Sequence, residues 1–336
     1  MASLPSSWFA PVLAAPFLLV SCGSDATETQ EAAARPFDAA AARALFGPEV
    51  VPAGEPASPE LIALGRDLYH EKRLSVGDNV SCATCHDLDR YGVDGEPTSP
   101  GSDGTRGARN SPTSVNAFRQ FAQFWDGRAQ DVEEQAQGPV LNPIEHGFEE
   151  PDVFLAKLRA IEGMPERFAA LFPDEDDPVT MANFGRAVGA FERTLVTRSR
   201  FDDFLDGDDD ALTVEEKAGL QLFMDTGCAT CHMTRTFGGQ MFQKIGVQVP
   251  YETADLGRAE VTGRPEDRAV FKVPMLLNCA ETGPWFHDGS VATLDEAVRR
   301  MAKHQLGKDL DDGEIRSIVT FLKALTGEPQ WTVDAR

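Results

Sequence analysis

Basic side chains are scarce in this sequence. Lys and Arg number 31 against 54 Asp and Glu, for a formal net charge of −23. Phosphate binding needs a basic footprint, so this balance argues against a nucleic-acid partner and favours encounter with a cationic one. Apolar runs are short as well. Phe9 to Val20 extends over 12 residues, short for a membrane-spanning helix, and Pro11 and Pro16 interrupt it. Cysteine and histidine number six each, which excludes a small disulfide scaffold and lets each one be followed singly. What remains, 42% hydrophobic and 25% charged over 336 residues, is a soluble globular composition with room for two domains, each with its own core.

Residues 1–21 carry no charged side chain and read as a signal peptide without the usual basic start. Leu19-Val20-Ser21-Cys22 resembles a bacterial lipobox, in which the cysteine is lipidated and becomes the new N-terminus. A secretory leader with an incidental cysteine is the alternative. Residues 22–57, rich in Ala, Glu, Pro and Ser, read as a flexible tether.

Beyond the tether the signals are helical. Ser58 precedes Pro59 as an N-cap before proline at the first helical position, and Leu61, Leu64 and Leu68 form a stripe at helical spacing. Phe184, Val188, Phe191 and Leu195 mark another helix. Capping boxes are expected at Thr213 with Glu216, Thr293 with Glu296, and Asp311 with Glu314. A glycine-rich stretch from Asp89 to Ser111 is long enough to be a functional loop. The expected class is all-α with long connections.

One module occurs twice. Cys82-Ala83-Thr84-Cys85-His86 and Cys228-Ala229-Thr230-Cys231-His232 share a five-residue core. Pro112, Asn116, Phe124, Asp126 and Gly127 recur as Pro274, Asn278, Phe286, Asp288 and Gly289, each 162 positions on. Such a constant offset indicates an internal duplication, here divided into domains 58–200 and 201–336. Two thiols at CxxC spacing can add to the two vinyl groups of one haem, and the next histidine then stands under the iron as an axial ligand. A zinc site or a redox disulfide are the competing readings. Zinc would have to join both pairs, and would not need a histidine after each.

The sixth iron ligands follow from the same offset. Met301 lies on the helix that Thr293 starts, and a thioether there would give His/Met ligation and a raised potential. Met233, Met241 and Met275 are its rivals. The first half has Pro139 at the position corresponding to Met301, so its haem lacks that ligand. One closed and one open haem suit an enzyme that reduces a small oxidant.

With Arg109-Asn110-Ser111-Pro112-Thr113, Gln123-Phe124-Trp125-Asp126-Gly127-Arg128, Gly138-Pro139 and Gly238-Gly239-Gln240, these motifs resemble the bacterial di-haem cytochrome c peroxidases over about residues 58–328. The resemblance implies two tandem cytochrome c-like domains with one covalent haem c each, in the periplasm; membrane contact is expected only through the lipid anchor that the lipobox-like segment places on Cys22. It implies reduction of hydrogen peroxide to water at the N-terminal haem. Electrons from a small cytochrome c or copper protein would enter at the C-terminal haem. By position, His86 is the proximal ligand of the peroxidatic haem, and His232 and Met301 hold the electron-transfer haem. Glu145 is the distal carboxylate, Gln135 and Pro139 line its pocket, and Trp125 lies between the haems. Asn110, Thr282 and Pro284 match a site for one calcium ion. A homodimer is compatible with the resemblance.

Three positions depart from the family. Ser102 replaces a loop histidine that caps the peroxidatic haem at rest in many members, so reductive activation of that kind is not expected. His146 follows Glu145 where methionine is usual, either as an alternative ligand or as a satisfied histidine. Leu277 stands where arginine is common before Asn278. His287 occupies the place of Trp125 in the second half. His70 reads as a surface or core group, as does His304, which is also the fallback ligand to Met301. Cys279 reads as a buried free thiol. Two other functions compete: a di-haem oxidase that modifies a partner protein, as in methylamine utilisation, and a non-enzymatic di-haem electron carrier. The oxidases carry tyrosine where Met301 stands, and a carrier gains nothing from an open iron.

Overall fold

The computed structural model describes residues 36–48 and 56–331. The leader and Cys22 lie outside these. Helices run in the order α1 (Ala39–Phe46), α2 (Pro59–His70), α3 (Cys82–Cys85), α4 (Val132–Gln135), α5 (Gln137–Val140), α6 (Pro151–Arg159), α7 (Met164–Leu171), α8 (Met181–Glu192), α9 (Arg200–Leu205), α10 (Val214–Thr226), α11 (Ala259–Thr262), α12 (Leu294–Leu306) and α13 (Asp312–Lys323). Short strands β1 (Thr197–Ser199) and β4 (Gly327–Pro329) pair antiparallel, as do β2 (Phe242–Lys244) and β3 (Val270–Lys272). The chain is thus helix-rich with a few strand pairs, rather than purely helical. Among the described residues no helix is long and apolar enough to cross a membrane.

The caps account for the helix starts. Ser58 Oγ accepts from Leu61 N–H at 3.2 Å, and full capping boxes form at Thr213 with Glu216 and at Asp311 with Glu314. At α12 only half the expected box forms. Thr293 Oγ1 accepts from Glu296 N–H, while the Glu296 carboxylate turns along the helix to Arg300 at 2.7 Å.

Among the described residues two large hydrophobic cores form, beside a small cluster of Ala117, Phe118 and Val132. One gathers Leu64, Leu68 and Tyr69 of α2 with Phe184, Val188 and Phe191 of α8. The other gathers Leu220 and Phe223 of α10 with Ile318, Phe321 and Leu322 of α13. In each, a glycine lets the first helix press against the last. A Cβ on Gly65 would lie 1.8 Å from Ala187 O, and one on Gly219 would lie 2.1 Å from Ser317 O. The tether expected over 22–57 is structured in part. Phe46 of α1 is fully buried in the second core and stacks on Phe237 at 4.2 Å. An alanine-rich segment capped by Asp38 makes a helix once its one aromatic residue has a core to enter.

The duplication is visible in the backbone. Asn116 and Asn278 have φ of 60° and 59°, Phe124 and Phe286 64° and 72°, and Gly127 and Gly289 67° and 63°. Left-handed phenylalanine is uncommon, so its recurrence at equivalent places marks a repeated turn. The bridges Gln123–Ala129 and Trp285–Val291 repeat at the same offset. Between the repeats, the Asn116 and Asn278 amides both donate to Thr197 Oγ1, at 2.9 and 3.0 Å.

Candidate functional site

The second Cys-Ala-Thr-Cys-His segment begins where α10 ends at Gly227, in left-handed conformation. His232 is held from one side, its Nδ1 2.9 Å from Phe237 O. A carbonyl can only accept, so Nδ1 carries the proton and Nε2 keeps its lone pair. Burial lowers the imidazole pKa and keeps the ring neutral. These are the conditions a metal-ligating histidine needs. α12 brings Met301 to the same cavity, of about 260 Å³, which Cys228, Cys231, Leu294 and Val298 also line. Soft sulfur, neutral imidazole and apolar walls fit a flat haem held by two thioethers.

His304, the fallback to Met301, is engaged through Nδ1 with Val249 O at 3.0 Å. Of the rival methionines, Met275 lines the cavity and is buried in the second core.

The first segment repeats this arrangement. His86 Nδ1 lies 3.2 Å from Gly92 O, and burial again keeps the ring neutral. The carbonyls of Pro112 and Pro274, one offset apart, act on His86 and His232 respectively. Tyr69 Oη donates to His86 O at 2.8 Å and lies 2.9 Å from Ser114 Oγ, fixing the turn from behind. Burial pushes the Cys85 thiol up to about 11 and the Cys82 thiol higher, the reverse of the lowered pKa that a redox thiolate needs. The five described cysteines are free. Among the described residues no three His, Cys, Asp or Glu side chains gather as a metal site, so the pairs do not meet as zinc would require.

Glu145 follows α5 on a turn closed by its own N–H to Asn142 O at 3.0 Å. Its carboxylate accepts from Asn142 Nδ2 at 2.6 Å. Burial raises its pKa above the ordinary carboxylate value, while Asn142 and the Arg128 charge pull it down. The charge of Glu145 is a minor influence that raises the Cys82 and Cys85 thiols further. Gln135 ends α4 and Pro139 lies in α5, the two short helices that lead to this turn.

His146 is 4% exposed, its Nδ1 2.6 Å from Leu74 O. It is a satisfied buried histidine, close enough to His86 for their charges to oppose one another.

The glycine-rich loop is pinned over Glu145. Ser102 N–H donates to Glu145 O at 2.8 Å, and a Cβ on Gly101 would lie 1.6 Å from Ile144 O. Ser102 Oγ accepts from Gly77 N–H and donates to Asn79 Oδ1, at 2.9 and 2.8 Å. The side chain at the capping position therefore belongs to a neighbouring turn.

Trp125 lines the large cavity, its Nε1 donating to Asn110 O at 2.9 Å and its ring 6.4 Å from that of His287. Asn110 in turn donates its N–H to His287 O at 2.8 Å, and its Nδ2 to Glu96 O at 3.0 Å. Thr282 and Pro284 line this cavity, as Asn110 does. Leu277 and Cys279 are buried in the second core, and His70 Nδ1 bonds back to Arg66 O within α2.

Two groups were not singled out in the sequence. Arg109 pairs with Asp126 at 2.6 Å, Asp255 at 2.7 Å and Glu260 at 2.9 Å, tying the Trp125 segment to the second half. Its place in the Arg-Asn-Ser-Pro-Thr motif was the available signal. Lys272 is 4% exposed and lines the large cavity. A lone lysine in a short strand gave no sign of this.

A family model for di-haem cytochrome c peroxidase matches residues 59–210. The cytochrome c551 peroxidase of Nitrosomonas europaea is 41% identical over 283 residues, covering 81% of this chain and 82% of that protein. The cytochrome c peroxidase Ccp of Escherichia coli is 42% identical over 283 residues, and there the match covers 82% of this chain but only 60% of the relative. Among solved structures, a MauG-like protein associated with microbial copper homeostasis superposes with a TM-score of 0.71 at 30% identity, over 84% of this chain and 93% of that one. The chain belongs to the di-haem cytochrome c peroxidase family and is an enzyme of that class.

Proposed function

We propose that this protein reduces hydrogen peroxide to water at a haem held by Cys82, Cys85 and His86. Electrons from a small cytochrome c or copper protein enter at a second haem, held by Cys228, Cys231, His232 and Met301. Bound there, the haems supply single electrons and an iron that peroxide can reach. The protein's own contribution at the first site is a positioned proton. Splitting the O–O bond requires a proton to move from one peroxide oxygen to the other, and Glu145, its pKa raised by burial, is suited to accept and return it. Gln135 and Pro139 shape this pocket, and Pro139 supplies no ligand where the second half has Met301. Trp125 lies on the path between the two sites.

The observation that carries the reading is the half-buried Glu145 carboxylate, held by Asn142 and acting by its charge on both thiols of the first motif. Replacing it tests the reading directly. Glu145→Gln should lower peroxide turnover about 10²–10⁴-fold while both haems still take up electrons from a reductant. Unchanged turnover would remove Glu145 from the mechanism.

The same reading assigns tandem haem domains to 58–200 and 201–336, and one calcium ion to Asn110, Thr282 and Pro284. It places the protein in the periplasm, with a lipid on Cys22 as its membrane contact, and allows a homodimer. A second reading, an oxidase that modifies a partner protein, is favoured by the likeness to the MauG-like structure. Met301 speaks against it, because the oxidases the sequence resembles have tyrosine there. Glu145 speaks against a simple electron carrier.

A further inference from the structure

Lys272 closes β3 in the interior, and its main chain cannot relax outward. Its N–H donates to Trp125 O at 2.7 Å, and its strand is paired with β2. The ammonium donates to Gln120 Oε1 at 2.7 Å and, among the described residues, forms no ion pair. Asp126 acts on it through its field, but the carboxylate oxygens of Asp126 already bind Arg109 and Arg128. Burying an ammonium without an anion is unfavourable, and burial accordingly pulls Lys272 down to about 7.

What the protein does not supply, the cavity can. Lys272, Gln120, Trp125 and Asn110 line the same space as His232 and Met301. They form a contiguous polar edge, linked by Lys272 to Trp125, Trp125 to Asn110, and Lys272 to Gln120. A haem is apolar except for two carboxylates on one edge. We propose that Lys272 is the charge partner of a haem carboxylate at the site of His232 and Met301, with Gln120 orienting its ammonium. The proposal rests on reading this cavity as a haem site. Its consequence is electrostatic, since a fixed positive charge beside a redox centre favours the form with one more electron.

The test uses the full-length, haem-loaded protein with Lys272→Met and Lys272→Arg. Haem content is counted first, then potentials are measured by spectroelectrochemistry and the haem propionate bending band by resonance Raman. Lys272→Met should keep two haems and shift that band. Its high-potential couple should fall by about tenfold in the reduction equilibrium, or ~59 mV for one electron, with the other couple unmoved. Lys272→Arg should restore both signals. If Lys272→Met does not fold, Lys272→Gln removes the same charge while keeping a partner for Gln120. Two haems with an unmoved couple and band in the neutral variant would overturn the proposal and leave Lys272 a packing residue. A wild-type protein that binds no haem in a strain competent for its attachment would overturn the haem reading itself, which the haem count detects separately.

Discussion

The proton role of Glu145 can be tested through its neighbour rather than by its removal. Burial raises its pKa, while two groups, Asn142 through its hydrogen bond and Arg128 through its charge, lower it. The Asn142 bond, at 2.6 Å, is one to a charged acceptor. Such bonds contribute about 1.5–3 kcal/mol, and each 1.36 kcal/mol of preference for one protonation state is about one pKa unit. Asn142→Ala should therefore raise the Glu145 pKa and, taking the lower figure because the turn is partly open to solvent, change its ratio of carboxylate to acid by about tenfold below that pKa.

The sign follows from the role. A base acts as carboxylate, so peroxide turnover is lost as pH falls through the Glu145 pKa, and a higher pKa moves that acid limb to higher pH. The assay is the oxidation of a reduced cytochrome c by peroxide, followed by absorbance, with kcat/KM measured across pH. Asn142→Ala should shift the limb upward with its plateau intact, and Glu145→Gln should abolish the limb along with the turnover. An acid limb that stays in place in Asn142→Ala, with haem content unchanged, would refute the argument.

Other expectations follow from the same structure. Phe46→Ala removes a fully buried ring stacked on Phe237. It should cost about 3–5 kcal/mol in denaturant unfolding, whereas a mere tether would cost nothing. Met301→Leu should leave two haems attached but lower the potential of one, seen in a redox titration, because it removes the proposed thioether ligand. The oxidised protein mixed with peroxide in a stopped-flow instrument should show a rapid Soret change without donor. Ser102 is engaged with Gly77 and Asn79 and offers no imidazole to block the first iron, so a reaction that awaits prior reduction would count against this.

How much of this was legible in the sequence depended on whether a feature was local. The helix starts at Ser58, Thr213 and Asp311 were readable because a cap is decided within four residues. The duplication was readable because Pro112 and Pro274, or Phe124 and Phe286, meet identical local demands. α1 was missed because its formation depends on a pocket between Phe201 and Phe237, far along the chain. Thr293 was over-read, since the partner its box needed was drawn away by Arg300. Lys272 was invisible for a related reason. Its importance lies in the carboxylate it does not meet, and no local pattern records a missing partner.

Duplication also explains how one scaffold can carry two unequal sites. The parts that hold each histidine are the same in kind: a carbonyl on Nδ1, a second proline carbonyl, and a helix pressed close through a glycine. Those parts set the proximal side, and nothing in them distinguishes the halves. The difference lies in what each half builds beyond it. In the second half a regular helix of 13 residues carries Met301 to the cavity. In the first, the equivalent position is Pro139, in a one-turn helix that gives way to the Glu145 turn. Proline offers the iron no donor, and the short helix ahead of it leaves room for a carboxylate where the second half has a thioether. On the proposed reading, a change of local secondary structure at one place in the repeat is enough to separate the electron-transfer site of Met301 from the peroxide site of Glu145.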